Sequence, residues 1–375
     1  MAPRHGRPRT VRTSLLPRGH RARRASSWCA LLAAVALALS TASLASAATG
    51  TPRASRSLPS LHQVAGWVAA GVRDKSATPA IDAQLSGNEY AWIPTSQCLA
   101  TAIDSTNATP CVLGDTASAT TVVVIGDSSA DQWALDLASM GTAHDFRVVV
   151  YVHAACPVGA ITVELAGQSP DPRCATFRSL MLSDLSAMRP VPALVVVSEL
   201  RLSNYRSSSG AAIPNATWSA ALTSTLEGIE GDGVPVVAVH GVPVTATNDP
   251  AACIAAYQNS MTRCTTHLKD ADPSGYDQAT DAGALAAHAA GVDVTPLFCT
   301  TASCPVVAKG DVTHSEDNHV TERYAAAVRP ALAELVGCAV TQSFDLRADA
   351  VGILRSLLGG SPSSAVLSAC RGLQH

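Results

Sequence analysis

Aromatic and charged side chains are both scarce in this 375-residue chain, at 4% and 15% of the residues. Few aromatic rings limit any broad surface on which sugar rings would stack. The formal net charge of −3 gives no reason to expect nucleic acid as a partner. The sequence has no glycine-rich phosphate loop of the P-loop or dinucleotide-binding kind. It has no internal repeat, and beyond its N-terminal segment no run is long and apolar enough to cross a bilayer.

Hydrophobic residues make up 47% of the chain, which is enough to bury a sizeable core. The N-terminal segment has its own pattern. Residues 1–24 contain eight arginines, residues 28–39 form an apolar run, and Ala45-Ser46-Ala47 follows as a small-residue cleavage site. This order predicts a signal peptide over residues 1–47, cleaved near Ala47, and therefore a secreted or extracytoplasmic protein. The alternative is an uncleaved membrane anchor, for which the apolar run is short.

The chain has 11 cysteines, and removal of Cys29 with the signal peptide leaves an even number. Disulfides between chain neighbours are the natural hypothesis for an exported protein, although connectivity does not follow from sequence. The hypothetical pairs are Cys98–Cys111, Cys156–Cys174, Cys253–Cys264, Cys299–Cys304 and Cys338–Cys370. Zinc binding is the rival interpretation, but the spacings are not those of Cys-x-x-Cys sites.

The remainder of the chain predicts one α/β domain with an extension at each end. We expect a lead and extension over 48–118, the main domain over 119–337, and a C-terminal tail over 338–375. The predicted strands cover 121–125, 147–152, 193–198, 234–240 and 292–295. Besides the helix after the first strand, the predicted helices cover 175–188, 218–229, 276–290 and 320–336, the last with Gly337 as its stop and with Pro330 as a kink or break inside it. Residues 61–72 form a short amphipathic piece, and the sequence from there to 118 is irregular. Alternation of strands and helices predicts a mostly parallel sheet of about five strands.

The first predicted strand ends in a turn that carries a candidate nucleophile. Residues 121–125 are β-branched throughout, which is typical of a strand covered on both faces. Gly126 permits a sharp turn, Asp127 or Ser128 can cap the following helix, and Gly141 is a plausible stop. A serine there lies at the carboxyl end of a strand, near the positive potential of a helix N-terminus. The alternative is that Gly-Asp-Ser serves only as a helix cap.

A second group of chemically active residues precedes the last predicted helix. His314 and His319 lie there with Asp311, Glu316 and Asp317. Imidazole is a suitable base for a serine near neutral pH, and it needs an acceptor that fixes its tautomer. Glu316 or Asp317 can serve His319, while Asp311 and His314 form a second candidate pair. A solvated surface turn and a metal site of both histidines with Asp311 and Asp317 are the alternatives.

Three blocks of the sequence resemble those of SGNH (GDSL-type) hydrolases, especially the exported SGNH domains fused to bacterial membrane acyltransferases. The similar blocks are Val124-Ile125-Gly126-Asp127-Ser128-Ser129-Ala130-Asp131-Gln132-Trp133, Ala155-Cys156-Pro157, and Asp317-Asn318-His319-Val320-Thr321 with Tyr324-Ala325 after it. Cys304-Pro305 also resembles a family element. The resemblance implies a flavodoxin-like, three-layer α/β/α sandwich (SGNH hydrolase fold), here stapled by disulfides.

By position, the resemblance implies Ser128 as nucleophile and His319 as general base. The family's orienting carboxylate falls on Glu316, with Asp317 beside it, and its histidine after the nucleophile is Ser129 here. The Ser128 N–H is the expected oxyanion donor, with the Gly159 N–H as a second donor by analogy. The family's third block is absent, and Asn204 or Arg201 are its candidate replacements if they are not ordinary loop residues.

The sequence therefore predicts an exported serine esterase or O-acyltransferase that acts on O-acyl groups. The resemblance and the compartment imply an acylated cell-envelope glycan or a small ester as substrate, and a separate membrane acyltransferase as partner. We expect a monomer without cofactor or metal. The alternative is a non-catalytic carbohydrate-binding or structural domain of the same fold, which the missing third block favours.

Overall fold

The structure of the protein is a computed structural model that describes residues 59–85, 111–165, 173–200, 205–231, 233–247, 249–272, 275–315, 318–343 and 370. These residues belong to a unit that spans Arg53–His375; Met1–Pro52 form the other unit. Several predictions lie outside the described residues: the signal peptide, Cys98, Arg201, Asn204, Glu316 and Asp317.

The main sheet has six strands within the described ranges, and five of them run parallel. The strands are β1 (Cys111–Gly114), β2 (Thr121–Gly126), β3 (Arg147–Val152), β4 (Leu194–Ser198), β5 (Val236–Val239) and β6 (Ala290–Val292). Their order across the sheet is β1-β3-β2-β4-β5-β6, with β1 antiparallel to β3. The parallel strands thus follow the 2-1-3-4-5 order of flavodoxin-like folds.

At least one helix lies between each two successive parallel strands along the chain. They are α1 (Pro59–Gly71), α2 (Pro79–Gln84), α3 (Ser128–His144), α4 (Arg173–Ala187), α5 (Asn215–Glu230), α6 (Pro250–Ala256), α7 (Leu268–Ala271), α8 (Tyr276–Ala286) and α9 (Glu322–Ser343). Short 3₁₀ turns cover Met261–Cys264 and Thr295–Leu297. Two-residue strands pair Glu164–Leu165 with Tyr205–Arg206, Thr266–His267 with Ser303–Cys304, and Val307–Ala308 with Asp311–Val312. No helix of the described residues meets the length and apolarity needed to span a bilayer.

Alternate residues of the buried strands point to opposite faces and create two cores. Val122 and Val124 of β2 belong to a cluster with residues of α1, α3 and α9. Val123 and Ile125 belong to a second cluster with residues of α4, α5 and α8. Because a β-strand has a period of two, a continuously apolar strand supplies both helical layers. The three-layer, mostly parallel α/β sandwich is confirmed.

The structure differs from the predicted elements at three places. Strand β1 was predicted to be irregular; it is an antiparallel edge strand and adds a sixth strand to the predicted five. Gly141 does not end α3, which continues to His144 before Asp145 in the left-handed conformation. Gly337 does not end α9, and Pro330 lies inside that helix. Burial of neighbouring apolar side chains outweighs these local preferences, since a helical glycine costs only about 1 kcal/mol.

Four of the five hypothetical cysteine pairs form disulfides in the structure. These are Cys156–Cys174, Cys253–Cys264, Cys299–Cys304 and Cys338–Cys370. Cys111 is also disulfide-bonded, but its predicted partner Cys98 is outside the described residues. The last of these bonds joins Cys370 to Cys338 of α9. Disulfides at this density are typical of proteins that fold in an oxidising compartment.

Candidate active site

The candidate nucleophile lies on a tight turn between β2 and α3. Gly126 has φ +152°, and a Cβ atom there would overlap the carbonyl oxygen of Ser198 and lie 2.7 Å from the Cβ of Ala130. Only glycine therefore lets the chain turn so close to β4. Asp127 is the N-cap of α3, and its carboxylate accepts a 2.8 Å hydrogen bond from the N–H of Ser129. The predicted turn and cap are present.

This turn lies where the strand order of the sheet reverses. Strand β2 has β3 on one side and β4 on the other, so the loops after β2 and β4 leave toward different helical layers. In open parallel sheets, ligands bind in the crevice outside the carboxyl ends of the strands at such a point. Ser128 is the first residue of α3, and the N–H groups of a first helical turn have no intrahelical acceptor. Its N–H is thus suited to the predicted oxyanion role.

The candidate base lies on a narrow turn just before α9. His314 and Val320 form an antiparallel bridge, so the chain reverses between them. The N–H and Oγ of Ser315 donate hydrogen bonds to the carbonyl oxygen of His319, at 2.8 and 3.1 Å. Asn318 has φ +61°, a left-handed conformation that asparagine tolerates better than most residues.

Two side chains fix this turn against the rest of the domain. The Oε1 atom of Gln132, on the first turns of α3, accepts a 3.0 Å bond from the N–H of Val320. The Oδ1 atom of Asn318 accepts two 2.7 Å bonds from Thr245, one from its N–H and one from its hydroxyl. Gln132 and Asn318 belong to the quoted blocks, but the sequence alone assigned no role to either. They position the residues on each side of the candidate base.

These two turns bring the candidate nucleophile and base together. Ser128 Oγ and His319 Nε2 are 2.9 Å apart, although the two residues are separated by 191 positions in the sequence. Ser128 is 8% exposed, so the pair lies at the protein surface but is largely covered. This geometry lets a neutral imidazole accept the serine proton through Nε2. The arrangement is chemically competent for nucleophilic attack on an ester carbonyl.

Asp127 does more than cap the helix. Its Oδ2 atom accepts 2.7 Å hydrogen bonds from the N–H of Leu200 and from the hydroxyl of Tyr205. The carboxyl is fully buried, and burial raises its pKa while these hydrogen bonds act in the opposite direction. Asp127 thus ties the nucleophile turn to the loop after β4. From the sequence, Asp127 could be predicted only as a helix cap. Its contact with Tyr205 could not be predicted, because Tyr205 is distant in the chain.

Glu199 directly follows β4, where the family's third block is missing, and the sequence alone assigned it no role. It is 2% exposed, and its carboxylate accepts bonds from the N–H of Val158, at 3.2 Å, and from the N–H of Gly159. Burial, and secondarily the charge of Asp127, raise the pKa of Glu199 to about 8. The guanidinium of Arg178 opposes this increase. A direct oxyanion role for Gly159 stays a prediction, since its N–H would have to leave or share this acceptor.

The pKa of Glu199 predicts how stability depends on pH. The pKa rises from 4.5 to about 8 on folding, so between these values the folded protein binds more protons than the unfolded chain. The contribution of Glu199 is therefore fully present below about pH 4.5 and is lost as the pH rises through about 8. We expect Glu199→Gln to reduce the fall in the free energy of unfolding between about pH 5 and about pH 8. Urea unfolding at both pH values measures this change.

Glu227→Gln is the matched control for this experiment, because Glu227 is exposed on α5. It should leave the pH dependence of the wild-type protein intact. A Glu199→Gln protein that loses stability with pH as steeply as wild type would contradict the assignment.

The contact between Ser128 and His319 does not include the second candidate pair, Asp311 and His314. The His314 ring is 2% exposed, and its centroid is 4.9 Å from that of Phe298. Its Nδ1 atom is 2.9 Å from the hydroxyl of Thr313. His314 is therefore a packed core residue, while Asp311 lies in a two-residue strand. Neither belongs to the groups with metal-binding geometry in the described part of the chain, which are His153-Cys156-Cys174 and His240-Asp277-Asp293.

The chain was compared with protein families, curated sequences and solved structures. The family described as "SGNH domain (fused to AT3 domains)" matches residues 97–334. No curated protein sequence matches the chain. Among solved structures, the chain is similar to the periplasmic domain of a lipopolysaccharide acetyltransferase of Salmonella ser. Paratyphi A. The two share 13% identity with a TM-score of 0.42, over 72% of this chain and 95% of that chain.

Proposed function

Because the chain belongs to the family of SGNH domains that are fused to AT3 domains, we propose that it is a serine esterase or O-acyltransferase acting on O-acyl groups. The observation that carries this proposal is the 2.9 Å separation between Ser128 Oγ and His319 Nε2. Packed histidines and helix caps are common in proteins, but a serine oxygen at a helix N-terminus beside an imidazole nitrogen is the arrangement of an activated nucleophile.

The reaction has two steps, with Ser128 and His319 in both. Ser128 Oγ attacks the ester carbonyl while His319 Nε2 takes the serine proton, and the same proton then passes to the leaving alcohol. The product is an acyl ester on Ser128. Water or a sugar hydroxyl attacks this ester, loses its proton to His319, and releases Ser128, which recovers a proton from the imidazolium. Water gives hydrolysis, and a sugar hydroxyl gives acyl transfer.

Further groups are proposed to support this reaction, as hydrogen-bond donors to the oxyanion and as an acceptor for His319. The Ser128 N–H would stabilise the oxyanion, with Gly159 and Asn204 as candidate further donors. Glu316 or Asp317 would accept a hydrogen bond from the Nδ1–H of His319 and so hold the tautomer in which Nε2 is free to accept. Glu316 lies three positions before His319, and Asp317 lies two positions before it.

We further propose an extracytoplasmic location and an acylated cell-envelope glycan as the substrate class. The N-terminal arginine and apolar pattern and the disulfides support export. AT3 domains accompany SGNH domains in the family, so a membrane acyltransferase is the proposed donor of the acyl group. The protein itself is proposed to act as a monomer without cofactor or metal in the reaction.

The test is to follow an acetyl group from donor to acceptor. The purified protein is incubated with p-nitrophenyl acetate, alone and with an O-deacetylated envelope glycan. We expect release of p-nitrophenol and, after acid quench, the mass of one acetyl group on the peptide that contains Ser128. Free acetate as the product identifies an esterase, whereas acetyl groups on the glycan identify a transferase.

A non-catalytic carbohydrate-binding domain is the second candidate. The specific observation that favours it is Glu199, which takes the amides of Val158 and Gly159 where an oxyanion donor is expected. Absence of turnover and of labelling by a fluorophosphonate probe, together with retained glycan binding, would support this second function and contradict the first.

A further inference from the structure

A second cluster of one histidine and several carboxylates lies beside the carboxyl ends of β5 and β6. His240 directly follows β5, Asp293 directly follows β6, and Asp277 and Asp281 lie on α8. The His240 N–H donates a 3.0 Å hydrogen bond to the carbonyl oxygen of Val292, which holds the two strand ends together. The fold therefore builds this cluster from three separate elements, and none of its members takes part in the proposed ester chemistry.

One carboxylate sets the tautomer of His240. The Nε2 atom is 2.7 Å from Asp281 Oδ1, and a carboxylate at that distance accepts a proton from the ring. A Cβ atom on Gly291 would overlap this same Asp281 oxygen, so glycine at that position leaves room for the contact. With its proton on Nε2, a neutral His240 has its lone pair on Nδ1. This carboxylate–histidine arrangement is the one that orients metal-binding histidines.

The other ring nitrogen faces two further carboxylates. His240 Nδ1 is 3.8 Å from Asp277 Oδ1 and 3.8 Å from Asp293 Oδ1. The His240 side chain is only 4% exposed, and Nδ1 has no hydrogen-bond partner within the described ranges. A buried lone pair that points at two carboxylate oxygens is unfavourable unless a cation lies between them.

We propose that His240 Nδ1, Asp277 and Asp293 bind a divalent transition-metal ion of the zinc class, with Asp281 as the residue that orients the histidine. Zinc bonds to nitrogen and oxygen are about 2.0–2.2 Å long, so tetrahedral ligands are roughly 3.4 Å apart. Side-chain shifts of a few tenths of an ångström would shorten the observed 3.8 Å separations to this value. Three protein donors leave a fourth position for water or an anion.

The exposure of the carboxylates provides an entry path for the ion. The side chains of Asp281 and Asp293 are 54% and 56% exposed, whereas Asp277 is 18% exposed. An ion can therefore reach the buried nitrogen from solvent along Asp293.

The ligand types narrow the choice of ion. Imidazole suits zinc and its neighbours in the first transition series, while Mg²⁺ prefers a shell of oxygen ligands and keeps its waters. The site should discriminate against Mg²⁺.

A proton is the competing occupant of the same position. Burial lowers the pKa of His240, but Asp281, Asp277 and Asp293 together outweigh burial and raise it. An imidazolium with both nitrogens toward carboxylates would satisfy the cluster without a metal. Metal-binding histidines are deprotonated, so Zn²⁺ and a proton compete for Nδ1.

The test is a titration of the chelator-treated protein with Zn²⁺ in competition with a chelating dye, and separately with Mg²⁺. We expect one Zn²⁺ per chain, no measurable binding of Mg²⁺, and a thermal unfolding midpoint that rises by several degrees with Zn²⁺. Asp293→Asn should weaken Zn²⁺ binding at least tenfold. Asp281→Ala should weaken it roughly 10- to 100-fold by removing the orienting acceptor.

Asp270→Asn is the matched control, since Asp270 is an exposed aspartate on α7 outside the cluster. It should bind Zn²⁺ as tightly as wild type. The proposal is overturned if wild type binds Zn²⁺ no more tightly than Asp293→Asn. Because Asp293 and Asp281 are both exposed, their variants test the site even if substitutions of buried His240 fail to fold.

Discussion

Replacing Ser128 with alanine should lower ester turnover by roughly 10⁴-fold or more and abolish labelling by a fluorophosphonate probe. The alanine lacks the oxygen that lies 2.9 Å from His319 Nε2, and no acyl-enzyme can form without it. Removing the nucleophile of a serine enzyme costs about as much as removing its whole catalytic group. Initial rates with p-nitrophenyl acetate and mass spectrometry of the labelled peptide measure the two effects.

Ser129→Ala is the matched control for this variant. Ser129 lies on the same turn, but its N–H and its hydroxyl both donate to Asp127. This protein should still be labelled. His319→Asn should lose turnover to a similar extent, because Ser128 then lacks its base. Labelling of Ser128→Ala at the wild-type rate would exclude Ser128 as the nucleophile.

Replacing Gly126 with alanine should destabilise the protein by about 3 kcal/mol or more. The new Cβ atom would overlap the carbonyl oxygen of Ser198 and lie 2.7 Å from the Ala130 Cβ, and φ +152° is strained for alanine. This overlap can be relieved only if β2 and β4 move apart, and both strands are buried there. The midpoint of urea unfolding should therefore fall sharply, with loss of ester turnover because Ser128 is two residues away.

Gly228→Ala is the control, and we expect it to stabilise the protein. Gly228 lies within α5, and a Cβ atom there meets nothing within 4 Å. Alanine in a helix is favoured over glycine, so this variant should be more stable than wild type by about 0.5–1 kcal/mol. Equal unfolding midpoints for Gly126→Ala and wild type would show that the turn between β2 and α3 is not as close to β4 as described.

Features that depend on neighbouring residues were predictable from the sequence. The β-branched run of β2 and the Gly-Asp-Ser turn are local, and the resemblance to SGNH hydrolases that they support is confirmed by the family match. The parallel sheet follows from the alternation of strands and helices. The role of Ser128 and His319 stays a prediction, although the structure brings their side chains together.

Features that depend on distant partners were not predictable. Glu199 looks like an ordinary loop residue until folding places it beside the amides of Val158 and Gly159. Strand β1 pairs with β3 although its own residues are only partly buried, so its pattern carries little information. Helix α9 continues past Gly337 because Cys338, Ala339 and Val340 are buried. In each case tertiary packing overrides a weak local preference.

The distance in sequence between the two halves of the site has a consequence for biogenesis. Contacts across 191 positions are among the last that a chain can close, since most of the polypeptide must be ordered first. A chain that emerges with its N-terminus leading carries an unactivated alcohol until almost the whole domain has been made. In a refolding experiment, recovery of ester turnover would therefore time the docking of the final segment, after the sheet itself has formed.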